Sequence, residues 1–363
     1  MSDPEIKTAP GSGNWRIIYE PCRSGIRILR AVTCDREAVL PHAIEGVPVT
    51  ELGEGALKPR DPRVWTYEMP AGMNAEEWHG EETEAGQQCL VLYSGAVASA
   101  LFHRGDAGSA SAFRWSNHGI QSILLPESIR RISHYAFLNC ENLSRIELTD
   151  GNLDWGSGVF MNCRLQDLWI RQPEEEGSVL AYFGYELTRE LDVRITDAAG
   201  AVRARLLFPE YFEISRANVE ARQFDFRMEG IGYPYHHVFR NKRMDYLGYD
   251  LLWDRCLAHG TEEEICGRIA WFRLQYPYKL EERFAENYRA YLKEHAAVMI
   301  RWALEEGTAA DLTAILAVAE PAEDAVRSAA DAAREAGRTD LLAVLLNRLR
   351  GAVPAGRRKR FEL

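Results

Sequence analysis

The sequence predicts an α+β chain: a short solenoid of β-strand repeats with a β-hairpin cap, followed by an α-helical hairpin-repeat domain. Three observations carry this expectation. A motif recurs at a spacing of 23 residues between Ile120 and Cys163. Apolar and polar residues alternate on both sides of a turn signal at Asp197 to Gly200, and beyond Met244 the apolar spacing becomes that of helices. Composition sets the outer bounds. Hydrophobic residues make up 46% of the 363 and charged residues 27%, the balance of a globular protein, and no apolar run approaches the roughly 18 residues a membrane-spanning helix needs. With 43 basic and 54 acidic residues the formal net charge is −11, which disfavours phosphate backbones and anionic lipid as partners.

The repeat is the strongest signal. At a shift of 23, Ile120 aligns with Leu143, Ile123 with Ile146, Leu125 with Leu148, Phe137 with Phe160, Asn139 with Asn162 and Cys140 with Cys163. A further copy begins one residue early, at Leu165, Leu168 and Ile170. The physics is that of leucine-rich repeats. Three apolar side chains point inward from a short strand, and a Phe and a Cys near the end of each turn plug the same core from the opposite side.

The phrasing from Ile123 through Pro126, Ser128, Ile129, Ile132, Ala136 and Phe137 to Cys140 resembles the BspA-like leucine-rich repeat family. The stretch Ala38 to Leu57, with Gly46-Val-Pro-Val-Thr50 and Leu52-Gly-Glu-Gly-Ala-Leu57, resembles that family's opening unit. Arg16 to Leu29 reads as a hairpin covering the first turn. The resemblance spans roughly residues 15 to 170 and implies a bacterial protein, while two repeat modules in one chain, with their extended surfaces, point to noncatalytic protein binding. Two departures stand out. Residues 58–118 form an insertion that includes the acidic run at Glu76 to Glu84 and a strand-like Cys89 to Tyr93, and Asp150-Gly-Asn-Leu153 replaces the family's Pro-x-Ser.

The remaining divisions follow from local pattern. Residues 1–14 read as a disordered N-terminus without an export signal, and 15–186 as the leucine-rich-repeat domain. Residues 187–240 read as the β-hairpin cap, Leu191 to Ile195 and Val202 to Phe208, plus an aromatic-rich connector. Residues 241–351 read as helical: Thr261 and Glu264 as a capping box, Glu320-Pro321 as a helix start, Gly337 as a helix end. A weak repeat at a shift of 30 aligns Ala303, Gly307, Leu312, Ile315 and Leu316 with Ala333, Gly337, Leu342, Leu345 and Leu346, resembling ankyrin-type or related stacked helix pairs. Residues 352–363 form a basic tail around Arg357-Arg-Lys-Arg360.

Chemistry is harder to find. Phosphate-loop, zinc-protease, nucleophile-elbow and EF-hand signatures are all missing, no cofactor or metal is expected, and no catalytic residue is assigned. Seven cysteines, an odd number without a Cys-x-x-Cys pair, read as reduced thiols of a cytoplasmic protein. His236 and His237 are the nearest approach to a reactive cluster, and adjacent residues of a strand would point to opposite faces. The solenoid instead offers a surface. Residues between the inward positions face outward on the concave sheet, stacking Leu124, Arg145, Glu147, Asp167, Trp169 and Arg171 into a mixed ladder. Trp169 flanked by Arg145 and Arg171 has the composition of an interface hot spot. A protein partner for a scaffold or regulatory subunit is therefore the expected function, engaged through this face, the helical domain, or both. The alternatives are an enzyme centred on residues 233–240 and a nucleic-acid accessory protein using the basic tail.

Overall fold

The computed structural model describes residues 15–59, 77–80, 88–92, 117–151, 153–174, 177–218 and 223–352. The N-terminal stretch 1–14, most of the insertion and the basic tail lie outside the described residues. Two compact units divide the chain: Met1–Arg203 with Phe208–Asp245, and Ala204–Leu207 with Tyr246–Leu363.

The first unit is a β-solenoid of leucine-rich-repeat type with two walls. One wall is a parallel run of Glu37–Val39, Ser122–Leu124, Arg145–Thr149, Asp167–Arg171 and Leu191–Thr196. The other is built from Val47–Leu52, Arg131–Ile132 and Asp154–Trp155, parallel to one another and to Gly25–Thr33. Trp15–Cys22 pairs antiparallel with Gly25–Thr33 and closes the first turn as a hairpin. From the insertion, Gln88–Leu92 adds antiparallel to Trp15–Cys22, and Glu77–Gly80 pairs with Gln88–Leu92. Every second residue of the parallel wall is buried: Ile146 and Leu148, Leu168 and Ile170, Val193 and Ile195. That alternation is the period-2 geometry of a strand with one face on a core.

The side of the stack opposite the parallel wall is held by ladders whose rungs are one turn apart. Phe137 stacks on Phe160 at 4.9 Å, and Phe160 on Phe183 at 5.3 Å. Cys140 and Cys163 are buried thiols that donate to the carbonyls of Leu57 and Phe137, one turn back, at 3.3 and 3.1 Å. Asn139 and Asn162 both take positive φ, 64° and 62°, and the Asn162 amide donates to the Asn139 side-chain oxygen at 2.8 Å. Asn tolerates this left-handed backbone better than most side chains. Asn117 (φ 55°) does the same where the chain re-enters the solenoid. Its buried side chain accepts from the Thr33 N–H and donates to the carbonyls of Ala31 and Leu57. Replacing Asn117 by Ala strands those groups and strains the backbone, so the variant should lose roughly 2 kcal/mol in urea unfolding.

Two features depart from the sequence expectation in detail. Leu191–Thr196 is no mere cap strand; it pairs parallel with Asp167–Arg171, with Leu168 opposite Val193 and Ile170 opposite Ile195. It is one more turn of the wall, and the hairpin turn that follows is tied by the Asp197 carboxylate, which accepts from the N–H groups of Ala199 and Ala201. Second, Asp150, which breaks the family phrasing, reaches the start of helix Val179–Glu186. Its carboxylate accepts the Val179 N–H at 3.0 Å, and burial raises its pKa. A distant carboxylate thus satisfies a helix N-terminus whose own N-cap, Ser178, makes no side-chain bond.

The second unit is helical. Ala296–Glu305 packs on Ala309–Ala319, Glu323–Glu335 packs on Thr339–Ala352, and the two hairpins pack on each other. The aligned positions Ala303, Leu312, Ile315, Ala333 and Leu345 are buried in these contacts. The helix ends differ in part from the local cues. Glu263–Gln275 starts without a side-chain cap, and the Thr261 hydroxyl donates instead to the Cys256 carbonyl. The capping box present is Thr308 with Asp311. Glu320 is the left-handed residue that ends Ala309–Ala319, and the next helix begins at Glu323. Gly337 (φ 69°) does follow the end of Glu323–Glu335, a conformation glycine adopts freely. Inside the unit, Arg273 and Asp250 form a fully buried bidentate pair at 2.8 Å, with the Tyr288 hydroxyl donating to Asp250 at 2.9 Å.

Candidate functional site

The outward ladder is set by the parallel register. Along one rung Val39, Leu124, Glu147, Trp169 and Arg194 lie side by side; along the neighbouring rung stand Glu37, Ser122, Arg145, Asp167 and Asp192. Parallel pairing without slippage makes each outward side chain the neighbour of its equivalent one turn away. Leu124, Arg145, Glu147, Asp167, Trp169 and Arg171 therefore do share one face.

Trp169 sits between two guanidinium groups. Arg145 lies 5.1 Å and Arg194 4.9 Å from the ring centroid, both within reach of a cation–π attraction. Each arginine is also held by a carboxylate, Arg145 by Asp167 beside it on the same rung at 3.5 Å and Arg194 by Asp192 of the neighbouring rung at 3.7 Å. Arg171, expected beside the tryptophan, instead pairs with Glu127 and donates to the Ala198 carbonyl. The indole N–H is buried and meets no acceptor among the described residues. Glu147 is half-buried beside Trp169, and burial raises its pKa against the opposing pull of Arg145. Leu124, two places from Trp169 along that rung, stays 37% exposed. The face thus combines a preorganised aromatic, an exposed aliphatic and paired charges, and it holds no nucleophile–base arrangement.

The histidines take other places. Both belong to a helical turn, Gly232–His236 and the residue after it, rather than a strand. His236 is fully buried; its Nε2 donates to the Pro209 carbonyl at 3.0 Å, and the Phe208 and Tyr211 rings meet it edge-on. Burial pushes its pKa down to about 4. His237 stacks on Tyr233 at 4.2 Å. The two therefore do not share one environment. Among the described residues no group of three His, Cys, Asp or Glu side chains gathers as a metal site would require, and no helix is long and apolar enough to cross a membrane.

Arg194 was the residue the sequence reading missed on this face, because its strand was assigned to a cap. A second omission is the antiparallel pair Phe212–Asn218 and Gln223–Glu229, on which Phe226 (72% exposed) and Met228 share one face in the open.

Residues 109–180 match a family model described as BspA type leucine rich repeat region, in 6 copies. The match covers the centre of the solenoid, and leucine-rich repeats of this type suggest a protein-interaction role. No curated protein and no solved structure matches the chain.

Proposed function

We propose that this protein is a noncatalytic interaction module, a scaffold or recognition subunit of a bacterial cytoplasmic assembly, whose protein partner docks on the outward face of the parallel wall. Leu124, Arg145, Glu147, Asp167, Trp169 and Arg171 are its contact residues, joined by Arg194. The observation that carries the reading is the indole of Trp169 clamped between Arg145 and Arg194. Such a side chain presents a large, already ordered surface, so little rotamer freedom is lost on binding. The paired charges around it favour a partner with its own mixed polar rim.

The test is capture from native lysate of the wild-type chain beside a Trp169→Ala/Arg145→Glu double variant. A stoichiometric protein retained by the wild type should fall at least about tenfold with the variant, as expected when a hot-spot side chain is removed. Both substituted residues are partly exposed, so circular dichroism should be unchanged. Equal retention by both chains moves the interface off this face.

A further inference from the structure

Beyond the outward face, the solenoid has an unfinished end. In the turn before last, the N–H groups of Tyr135, Phe137 and Asn139 donate to the carbonyls of Ser157, Val159 and Met161 at 3.2, 2.9 and 2.9 Å. The equivalent donors one turn on are Gly158, Phe160 and Asn162, directed by the same register at the place where another turn would lie. No such turn follows there, because the chain forms the helix Val179–Glu186 instead. The middle donor is answered by a substitute: Phe160 N–H donates to the Glu186 carboxylate at 2.5 Å, and Trp155 Nε1 donates to its other oxygen at 3.4 Å. The two outer donors, Gly158 and Asn162, meet no acceptor among the described residues.

These donors open into a cavity of about 660 Å³, also lined by Met161, Arg164, Thr188 and Arg189. Arg164 and Arg189 are exposed and make no ion pair among the described residues, unlike Arg145, Arg171 and Arg194 on the outward face. Two carboxylates share the rim: Glu141, exposed beside the arginines, and Glu186, which is already committed to the ladder and whose pKa burial raises. What remains on offer is a pair of backbone donors two residues either side of a filled one, with two arginines that outnumber the one uncommitted carboxylate, Glu141.

We infer that this cavity binds an acidic peptide segment. Its backbone carbonyls continue the turn ladder at Gly158 and Asn162, and its carboxylate side chains meet Arg164 and Arg189. Main-chain hydrogen bonds to the two open turn donors supply the register, and charge-assisted contacts supply the choice of sequence. The site is separate from the Trp169 face, so either can fail without the other.

The probes are two labelled peptides, acetyl-(Glu-Val)₃-amide and acetyl-(Lys-Val)₃-amide, titrated into the full chain. Fluorescence anisotropy gives the affinity, and amide NMR of the ¹⁵N-labelled chain gives the location. The acidic peptide should bind, the basic one should not, and the Gly158 and Asn162 amide protons should move downfield as they gain acceptors. An Arg164→Glu/Arg189→Glu variant, altered only at exposed positions, should bind the acidic peptide about tenfold more weakly or worse. A Thr188→Trp variant that fills the cavity should also lose binding while leaving both arginines in place. Binding that leaves the two amides unmoved, equal affinity for the arginine variant, or preference for the lysine peptide overturns the assignment.

Discussion

Replacing Asp250 by Ala should destabilise the helical unit by about 3–5 kcal/mol, the cost of leaving one member of a buried ion pair unmatched. Arg273 is fully buried, and its Nε and Nη2 both donate to the Asp250 carboxylate at 2.8 Å. The Tyr288 hydroxyl donates to the same carboxylate, and Arg273 Nη1 donates to the Tyr278 carbonyl. Removing Asp250 leaves a guanidinium without its counter-charge and a phenol without its acceptor. Burial and the neighbouring carboxylate raise the Tyr288 pKa, so that phenol stays protonated and remains a donor. The double variant Asp250→Leu/Arg273→Met should recover most of the loss, because apolar residues of similar size need no partner. Urea unfolding followed by far-ultraviolet circular dichroism measures both, and a single variant within about 1 kcal/mol of wild type contradicts the expectation. Tyr288→Phe should cost less, about 1.5–3 kcal/mol, one hydrogen bond to a charged group.

The solenoid unit should lose stability in mild acid through His236. Its folded pKa is pushed from 6.5 down to about 4, first by burial and then by the nearby His237, against the opposing hydrogen bond to Pro209. The sign follows from proton uptake. Above pH 6.5 neither the folded nor the unfolded state holds the proton, and nothing is lost. As pH falls through 6.5 the unfolded chain takes it up while the folded chain does not, until about pH 4. Stability should therefore drop by roughly 2 kcal/mol between pH 7 and pH 5 and by about 3 kcal/mol near pH 4. His236→Gln keeps a donor for the Pro209 carbonyl and does not titrate, so its stability should change by that much less over the same range. Parallel pH profiles for the two chains would show that the ring is not held neutral.

These two centres were not legible in the sequence, and the reason is the same for both. A charged residue in a helical pattern reads as solvated unless its partner is known. Asp250 and Arg273 lie 23 residues apart on different helices, with no local pattern to join them. For His236 the apparent strand context was a short helix, and only the packing of Phe208 and Tyr211 against the ring shows that it is sealed.

The solenoid was legible because its contacts are written into its period. Residues one turn apart touch, so Phe137 and Phe160, Asn139 and Asn162, and Cys140 and Cys163 must be chosen together, and that choice appears as a repeat. The same logic placed Leu124, Arg145, Glu147, Asp167, Trp169 and Arg171 on one face. It failed where the turn changed shape. Phe183 continues the phenylalanine stack from a helix, and Arg194 completes the clamp on Trp169 from a strand with altered spacing.

By itself, the sequence determined the fold class, the repeat and its inward and outward positions, because strand alternation and turn-to-turn contact are both local in a solenoid. Only the tertiary structure decided that Leu191–Thr196 is another turn, that Arg194 rather than Arg171 flanks Trp169, and that Glu186 closes one rung while Gly158 and Asn162 stay open. Those outcomes depend on where the chain stops repeating. At that point the register of neighbouring strands, a property of the assembled stack, takes over from the period.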